Sequence, residues 1–214
     1  MAARARAGAA EGLVAVADHQ WAGRGRRGRT WEAPAGTALL CSVLLRPDLD
    51  PARRPLAAAA VAVAAADACA AQGPAVALKW PNDLVVGDAK LGGVLAEDHG
   101  GAVVVGLGVN LTWSPPGAAR LGPVDGDGLL AAVLAGLGRL VGDWPAVAAA
   151  HRRRCATVGR EVRVELPGGS CTGRAVDLSD EGHLVVDTAG GRRTFSAADV
   201  VHLRPRPASP RPAR

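Results

Sequence analysis

Lys79-Trp80-Pro81-Asn82-Asp83-Leu84-Val85-Val86-Gly87-Asp88-Ala89-Lys90-Leu91-Gly92-Gly93-Val94-Leu95-Ala96-Glu97, residues 79–97, is the stretch whose reading decides the fold class. The apolar run Leu84-Val85-Val86 ends at Gly87-Asp88, a pair suited to a tight hairpin turn, and a second run, Leu91 to Glu97, follows. Downstream, His99-Gly100-Gly101 turns the chain again and Ala102 to Leu111 supplies another strand; upstream, Val76 to Lys79 leads in. The region reads as an antiparallel meander.

Further out, Leu13 to Ala17 and Thr37 to Leu45 are strand candidates, the second stopped by Arg46-Pro47. Pro51 to Gly73 is predicted helical, with Pro55 in the first turn, alanine through the interior and Gly73-Pro74 as the stop. Leu129 to Leu140 and Pro145 to Cys155 are two more helices, after a loop from Thr112 to Gly128. Beyond Val158-Gly159 the period changes to 2. Val162, Val164 and Leu166 alternate with charged residues, Pro167-Gly168-Gly169 turns the chain, and Leu184-Val185-Val186 and Thr194-Phe195 follow. Short strands with glycine turns predict a small SH3-like β-barrel.

Composition sets outer bounds. With 214 residues, 49% of them apolar and 21% charged, the chain is not disordered as a whole. Leu56 to Ala71, its most apolar stretch, is mostly alanine and contains Asp67, so it reads as a core helix and no membrane association is expected. Met1 to Gly8 alternates alanine with arginine and lacks the apolar segment of a secretory signal, which makes the cytoplasm the expected location. Cys41, Cys69, Cys155 and Cys171 form no C-x-x-C pair and no spacing with histidine that would hold zinc. The net charge of +5 falls to +1 once Arg204, Arg206, Arg211 and Arg214 of the Pro-rich tail are set aside, while Arg24, Arg26, Arg27 and Arg29 crowd into one loop. That distribution favours a local anion site over a broad basic face.

The loop contains a lure. Gly23-Arg24-Gly25-Arg26-Arg27-Gly28 satisfies G-x-G-x-x-G, and Asp48 lies twenty residues beyond Gly28. A dinucleotide fold nevertheless needs a helix opening at that point, and Arg29-Thr30-Trp31-Glu32-Ala33-Pro34-Ala35-Gly36 is too turn-rich to supply one. What remains is a flexible backbone carrying four planar cations suited to phosphate and carboxylate oxygens. An RNA-binding module built on the same loop and the Arg/Pro tail is the alternative from another class, weakened by the lack of interleaved aromatics.

Taken in order, Gly23 to Arg29 followed by Trp31, Lys79 to Leu84, Lys90 to Glu97, and Gly106-Leu107-Gly108-Val109-Asn110-Leu111 resemble the motifs of the biotin-protein ligases, from about Glu11 to Pro205. The resemblance implies an α+β fold, with a mixed, largely antiparallel sheet and packed helices of the class II aminoacyl-tRNA synthetase/biotin ligase kind. It divides the chain into a catalytic domain over 1–156, an SH3-like domain over 157–205 and a disordered tail over 206–214. It implies an enzyme that adenylates biotin with ATP, releasing pyrophosphate, and passes biotin to a lysine of a biotin carboxyl carrier protein of a biotin-dependent carboxylase. Lipoate or octanoate transfer on the same fold is the closer alternative.

Residue by residue, the resemblance makes Arg26 and Lys90 catalytic, because joining a carboxylate to an α-phosphate requires cations that neutralise both. Gln20, Gly23, Arg24, Arg26, Lys90 and Gly93 are implied for biotin, and Arg26, Arg27, Arg29, Trp31, Lys79, Asn82 and Asn110 for ATP. Asp83 is the candidate for Mg²⁺, whose other ligands are mostly substrate phosphates and water. The family's Ser-Thr-Asn motif does not occur here, and Met1 to Gly8 resembles the back half of the helix that follows it, so the chain is expected to begin inside the catalytic domain and to bind biotin poorly. Trp21 departs from the small or polar residue usual at its place. No helix-turn-helix segment precedes the catalytic region, so a monofunctional ligase without DNA binding is expected, with a homodimer admitted.

Overall fold

The computed structural model describes residues 1–28, 30–166 and 168–203, apart from the Arg27 side chain. Expectations made for Arg29, for the Arg27 side chain, for Pro167 and for the tail from Arg204 onward lie outside the described residues. The helices are α1 (Ala2–Arg6), α2 (Pro55–Ala70), α3 (Gly126–Leu140) and α4 (Trp144–Arg154). The strands are β1 (Val14–Ala17), β2 (Gln20–Arg24), β3 (Thr30–Ala33), β4 (Ala38–Leu45), β5 (Val76–Lys79), β6 (Asp83–Val86), β7 (Ala89–His99), β8 (Ala102–Asn110), β9 (Glu161–Leu166), β10 (Gly169–Leu178), β11 (Leu184–Thr188), β12 (Gly191–Phe195) and β13 (Asp199–His202).

The meander predicted from residues 76–111 forms the centre of a six-stranded antiparallel sheet in the order β1-β4-β8-β7-β6-β5. Alternation along the strands sorts its two faces. Leu39, Cys41, Val43 and Leu45 of β4 and Val103, Val105, Leu107 and Val109 of β8 point into the main core, where α2, α3 and α4 cover them. Twelve of the sixteen residues of α2 are buried, because its alanines let it approach the sheet and both neighbouring helices closely. The opposite face carries Leu40, Ser42, Gly106 and Gly108; only its far end is closed, by Ala5 of α1 packed with Leu44 and Val104.

Two elements differ from the sequence reading. The Gly/Arg segment, read as a loop, is a two-stranded ribbon in which Gly23 pairs with Trp31 and Arg24 with Thr30. Its glycines and arginines mask a pairing held by backbone bonds. Helix α3 starts at Gly126, before the predicted Leu129, because the Asp125 carboxylate caps it by accepting from the Asp127 N–H. The C-terminal unit is a five-stranded antiparallel sheet in the order β12-β11-β10-β9-β13, a meander from β9 to β12 with β13 returning to pair with β9.

Trp80 joins the two units. It is 2% exposed and belongs to the core of the C-terminal sheet, with Val162, Val164, Leu184 and Phe195. Its indole N–H donates to the Gly182 carbonyl at 3.0 Å, and its backbone N–H donates to Thr157 Oγ1 at 3.1 Å. Thr157 in turn lies 3.0 Å from His202 Nε2. Burial, reinforced by Lys79 and Arg160, pushes the His202 pKa down to about 4; burial, reinforced by Arg152, does the same to His151 of α4.

Trp80→Ala is expected to destabilise the chain by about 3 to 5 kcal/mol, and Trp80→Phe, which loses chiefly the bond to Gly182, by about 1 to 3 kcal/mol. Urea unfolding checks this; two variants within about 1 kcal/mol of wild type would contradict the joint.

The histidines give a pH dependence of defined sign. An unfolded chain protonates them near pH 6.5 while the fold resists until about pH 4, so the unfolded state binds more protons between those values and stability declines as pH falls through them. The urea midpoint should fall from pH 7 to pH 5, less steeply in His202→Gln; a flat or rising midpoint over that interval would refute the assignment.

Candidate active site

The ribbon β2–β3 lies across the open face of the main sheet and roofs a cavity of about 490 Å³. Two close approaches set its position. Gly108 lies directly beneath the Trp31 ring, since a side chain there would begin 3.3 Å from the indole. At Gly23 a Cβ would collide with the Trp31 carbonyl and sit 2.6 Å from the Gln20 side chain, so only glycine lets the ribbon fold over itself.

Gln20, Arg24, Arg26, Trp31, Asn82, Lys90 and Gly93, all named from the sequence, line this one cavity. Gly23 is buried in the ribbon. Lys79 and Asn110 do not line the cavity. The Asn110 side chain is 1% exposed and donates to the Ala119 carbonyl at 2.9 Å, which ties down the loop after β8. Asn82 is riveted to β7: its amide donates to the Val94 carbonyl at 2.8 Å, and its own carbonyl accepts from the Val94 N–H at 2.9 Å.

The charges are arranged in depth. Lys90 Nζ lies 2.6 Å from Asp83 Oδ1 and 5.5 Å from the Trp31 ring centroid, so a carboxylate and an aromatic face hold the ammonium from two sides. Arg26 Nη1 donates to the Ala198 carbonyl of the C-terminal unit at 3.1 Å. Arg24 Nη1 lies 3.3 Å from Glu97 Oε1 in an open pair, its side chain 78% exposed. Such exposed pairs are worth about 0 to 1 kcal/mol, so an incoming anion displaces Glu97 at little cost. Among the described residues no group of three His, Cys, Asp or Glu side chains could cage a metal, and the Asp83 carboxylate already serves Lys90.

Cys41 and Cys69 do not suit nucleophilic work. Burial raises the thiols of Cys41 and Cys69 to about 11 and about 12, which keeps them protonated. Sequence reasoning missed Ser42, Glu97 and Gly106 in the lining and Ala198 as a partner of Arg26. Gly106 and Gly108 within a strand were the legible signal, since glycine inside a strand marks a close approach. Nothing in the sequence pointed to Ala198. Trp21, the unusual residue of the ribbon, is 78% exposed and meets His19 edge-on at 5.5 Å.

Comparison with known proteins agrees with this geometry. Residues 6–112 match the model of the biotin/lipoate A/B protein ligase family, and residues 157–203 match the biotin protein ligase C-terminal domain. The biotin-[acetyl-CoA-carboxylase] ligase of Mycobacterium tuberculosis is 39% identical over 222 residues, covering 94% of this chain and 84% of that protein. A biotin protein ligase from Aquifex aeolicus, solved in complex with biotin and ATP, superposes with a TM-score of 0.80 at 25% identity, covering 91% of this chain and 90% of that one. The biotin acetyl coenzyme A carboxylase synthetase of Helicobacter pylori, with bound biotinylated ATP, superposes at 0.64 with 26% identity over 86% of each chain. With the motifs of the Gly/Arg ribbon, residues 79–84, the β7 lysine and its glycines gathered around one cavity, and with both domain models matched, the chain belongs to the biotin protein ligase family.

Proposed function

We propose that this chain is an ATP-dependent biotin-protein ligase that converts biotin to biotinyl-5'-AMP with release of pyrophosphate and then transfers biotin to a lysine of a biotin carboxyl carrier protein. The observation that carries the reading is the convergence of Arg24, Arg26 and Lys90 on one cavity whose sheet floor is built from small and apolar side chains. A slot with an apolar floor and a cationic mouth suits an acid with a long uncharged body. Family membership and relatives solved with biotin and ATP support the same substrates. Arg24 and Arg26 line this cavity, and family membership favours the ligase over the RNA-binding alternative.

In this reading Lys90 receives the biotin carboxylate, Arg24 stands beside Glu97 over the far rows of the slot, and Arg26 stabilises charge on the phosphoryl oxygens as the acyl-phosphate bond forms. Asp83 is a positioning residue, holding the Lys90 ammonium under Trp31. ATP approaches along the Asn82 and Trp31 side. ATP brings its own Mg²⁺, which neutralises phosphate charge when bound; the residues around Asp83 do not fit a metal cage of their own. The ribbon excludes water from the labile mixed anhydride. The C-terminal unit acts from outside the cavity, through the Ala198 carbonyl that orients Arg26. No helix among the described residues is long and apolar enough to cross a membrane; the cytoplasm is our proposed location for the reaction.

Arg26→Ala and Lys90→Ala should each lower biotin-dependent pyrophosphate release by at least ~10-fold, equivalent to about 1.4 kcal/mol of transition-state stabilisation. Unchanged release in both variants would remove these residues from the reaction.

A further inference from the structure

Strand register divides the cavity floor into rows across β4, β8 and β7. Leu40, Gly108 and Gly93 form the row under Trp31 and Lys90. Ser42, Gly106 and Leu95 form the next, about 7 Å further along the strands. Leu44, Val104 and Glu97 form the third, where Ala5 packs on Leu44 and Val104 and ends the slot. The slot therefore has a cationic mouth at the first row and a closed end beyond the second.

Ser42 is the one polar side chain that β4 and β8 contribute to this floor. Its Oγ lies 3.8 Å from where a Gly106 side chain would begin, on the cavity face, and the absence of that side chain leaves room above it. Helix-facing neighbours Cys41 and Val43 are buried in the main core, so the alternation of β4 fixes the hydroxyl toward the slot. Across the strands Ser42 is flanked by Ala15 and Gly106, neither of which offers a polar side chain. Among the described residues its hydroxyl has no hydrogen-bond partner.

We infer that Ser42 sets specificity at the closed end of the slot, hydrogen-bonding the polar bicyclic head of biotin and disfavouring straight-chain acids of similar length. The inference rests on the biotin reading above. A hydroxyl can donate to the carbonyl of a cyclic urea or accept from its N–H groups. An alkyl tail of the same reach would strip water from the hydroxyl and return no partner, and a site with a buried polar group discriminates strongly against a ligand that cannot satisfy it. Lys90 cannot make this distinction, because it stands at the first row and meets only the carboxylate that both kinds of acid carry.

The test is the binding of biotin and of octanoate to the full chain by titration calorimetry, for wild type, Ser42→Ala and Ser42→Cys, with circular dichroism melting as the folding control. Ser42→Ala should weaken biotin about 10-fold and leave octanoate unchanged or tighter, so that the ratio of the two affinities falls by about 10-fold or more. Ser42→Cys, with nearly the same shape and a weak donor, should shift the ratio in the same direction. An unchanged ratio in both variants, whether both affinities fall or neither does, overturns the inference while leaving the biotin reading intact. Wild type binding biotin no better than octanoate overturns the biotin reading itself, and is seen before any substitution is made.

Discussion

The Trp31 ring resting on the backbone of Gly108 is the contact on which the rest of the site depends. The main sheet would otherwise present one bare face to water. A large aromatic can lie flat against a strand only where the strand lacks a side chain, and β8 provides that at Gly106 and Gly108, in alternation with Leu107 and Val109, which fill the helix side. One strand thus builds a core with one set of residues and a binding floor with the other. With Trp31 in place, the ribbon has a fixed height above the floor, and the Gly/Arg turn that it carries stands at the mouth of the slot.

Cations around the slot would repel one another and scatter unless held. Asp83 holds Lys90, Glu97 holds Arg24, and the Ala198 carbonyl holds Arg26, and the three restraints differ in strength. The Asp83 to Lys90 pair is short and partly enclosed beneath an aromatic ring, whereas the Arg24 pair is open to solvent. Lys90 is accordingly a fixed charge and Arg24 an exchangeable one. Arg26 links the ribbon to the C-terminal unit, and the position of that unit depends on Trp80, which leaves the motif of residues 79–84 to enter the other core. A motif that reads as part of the site therefore has two duties. Asn82 and Asp83 serve the cavity, and Trp80 sets where Ala198 stands.

The meander and the long helices were legible because their signals are local. Gly87-Asp88 and His99-Gly100-Gly101 mark turns, and the alanine run of α2 stops at Ala70, three residues before Gly73. The ribbon was not legible, since half of its residues are glycine or arginine and its register is set by Trp31 settling on a strand far away in sequence. The cavity set from Gln20 to Gly93 was found through motif order, yet Asn110 shows the limit of that route. Its place in the motif suggested nucleotide, while its side chain is spent on the Ala119 carbonyl. Ser42 carried no signal at all, because a lone serine in an apolar strand looks like noise until the register places it beside Gly106.

The central claim is that the height of Trp31 above Gly108 makes the biotin cavity. Gly108→Val tests it most directly, because valine suits a strand and leaves the helix-facing core untouched but places methyl groups under the indole. Biotin affinity measured by calorimetry should fall by at least ~10-fold while the unfolding free energy from urea titration stays within about 1 kcal/mol of wild type. A Gly108→Val protein that binds biotin as tightly as wild type would contradict the account.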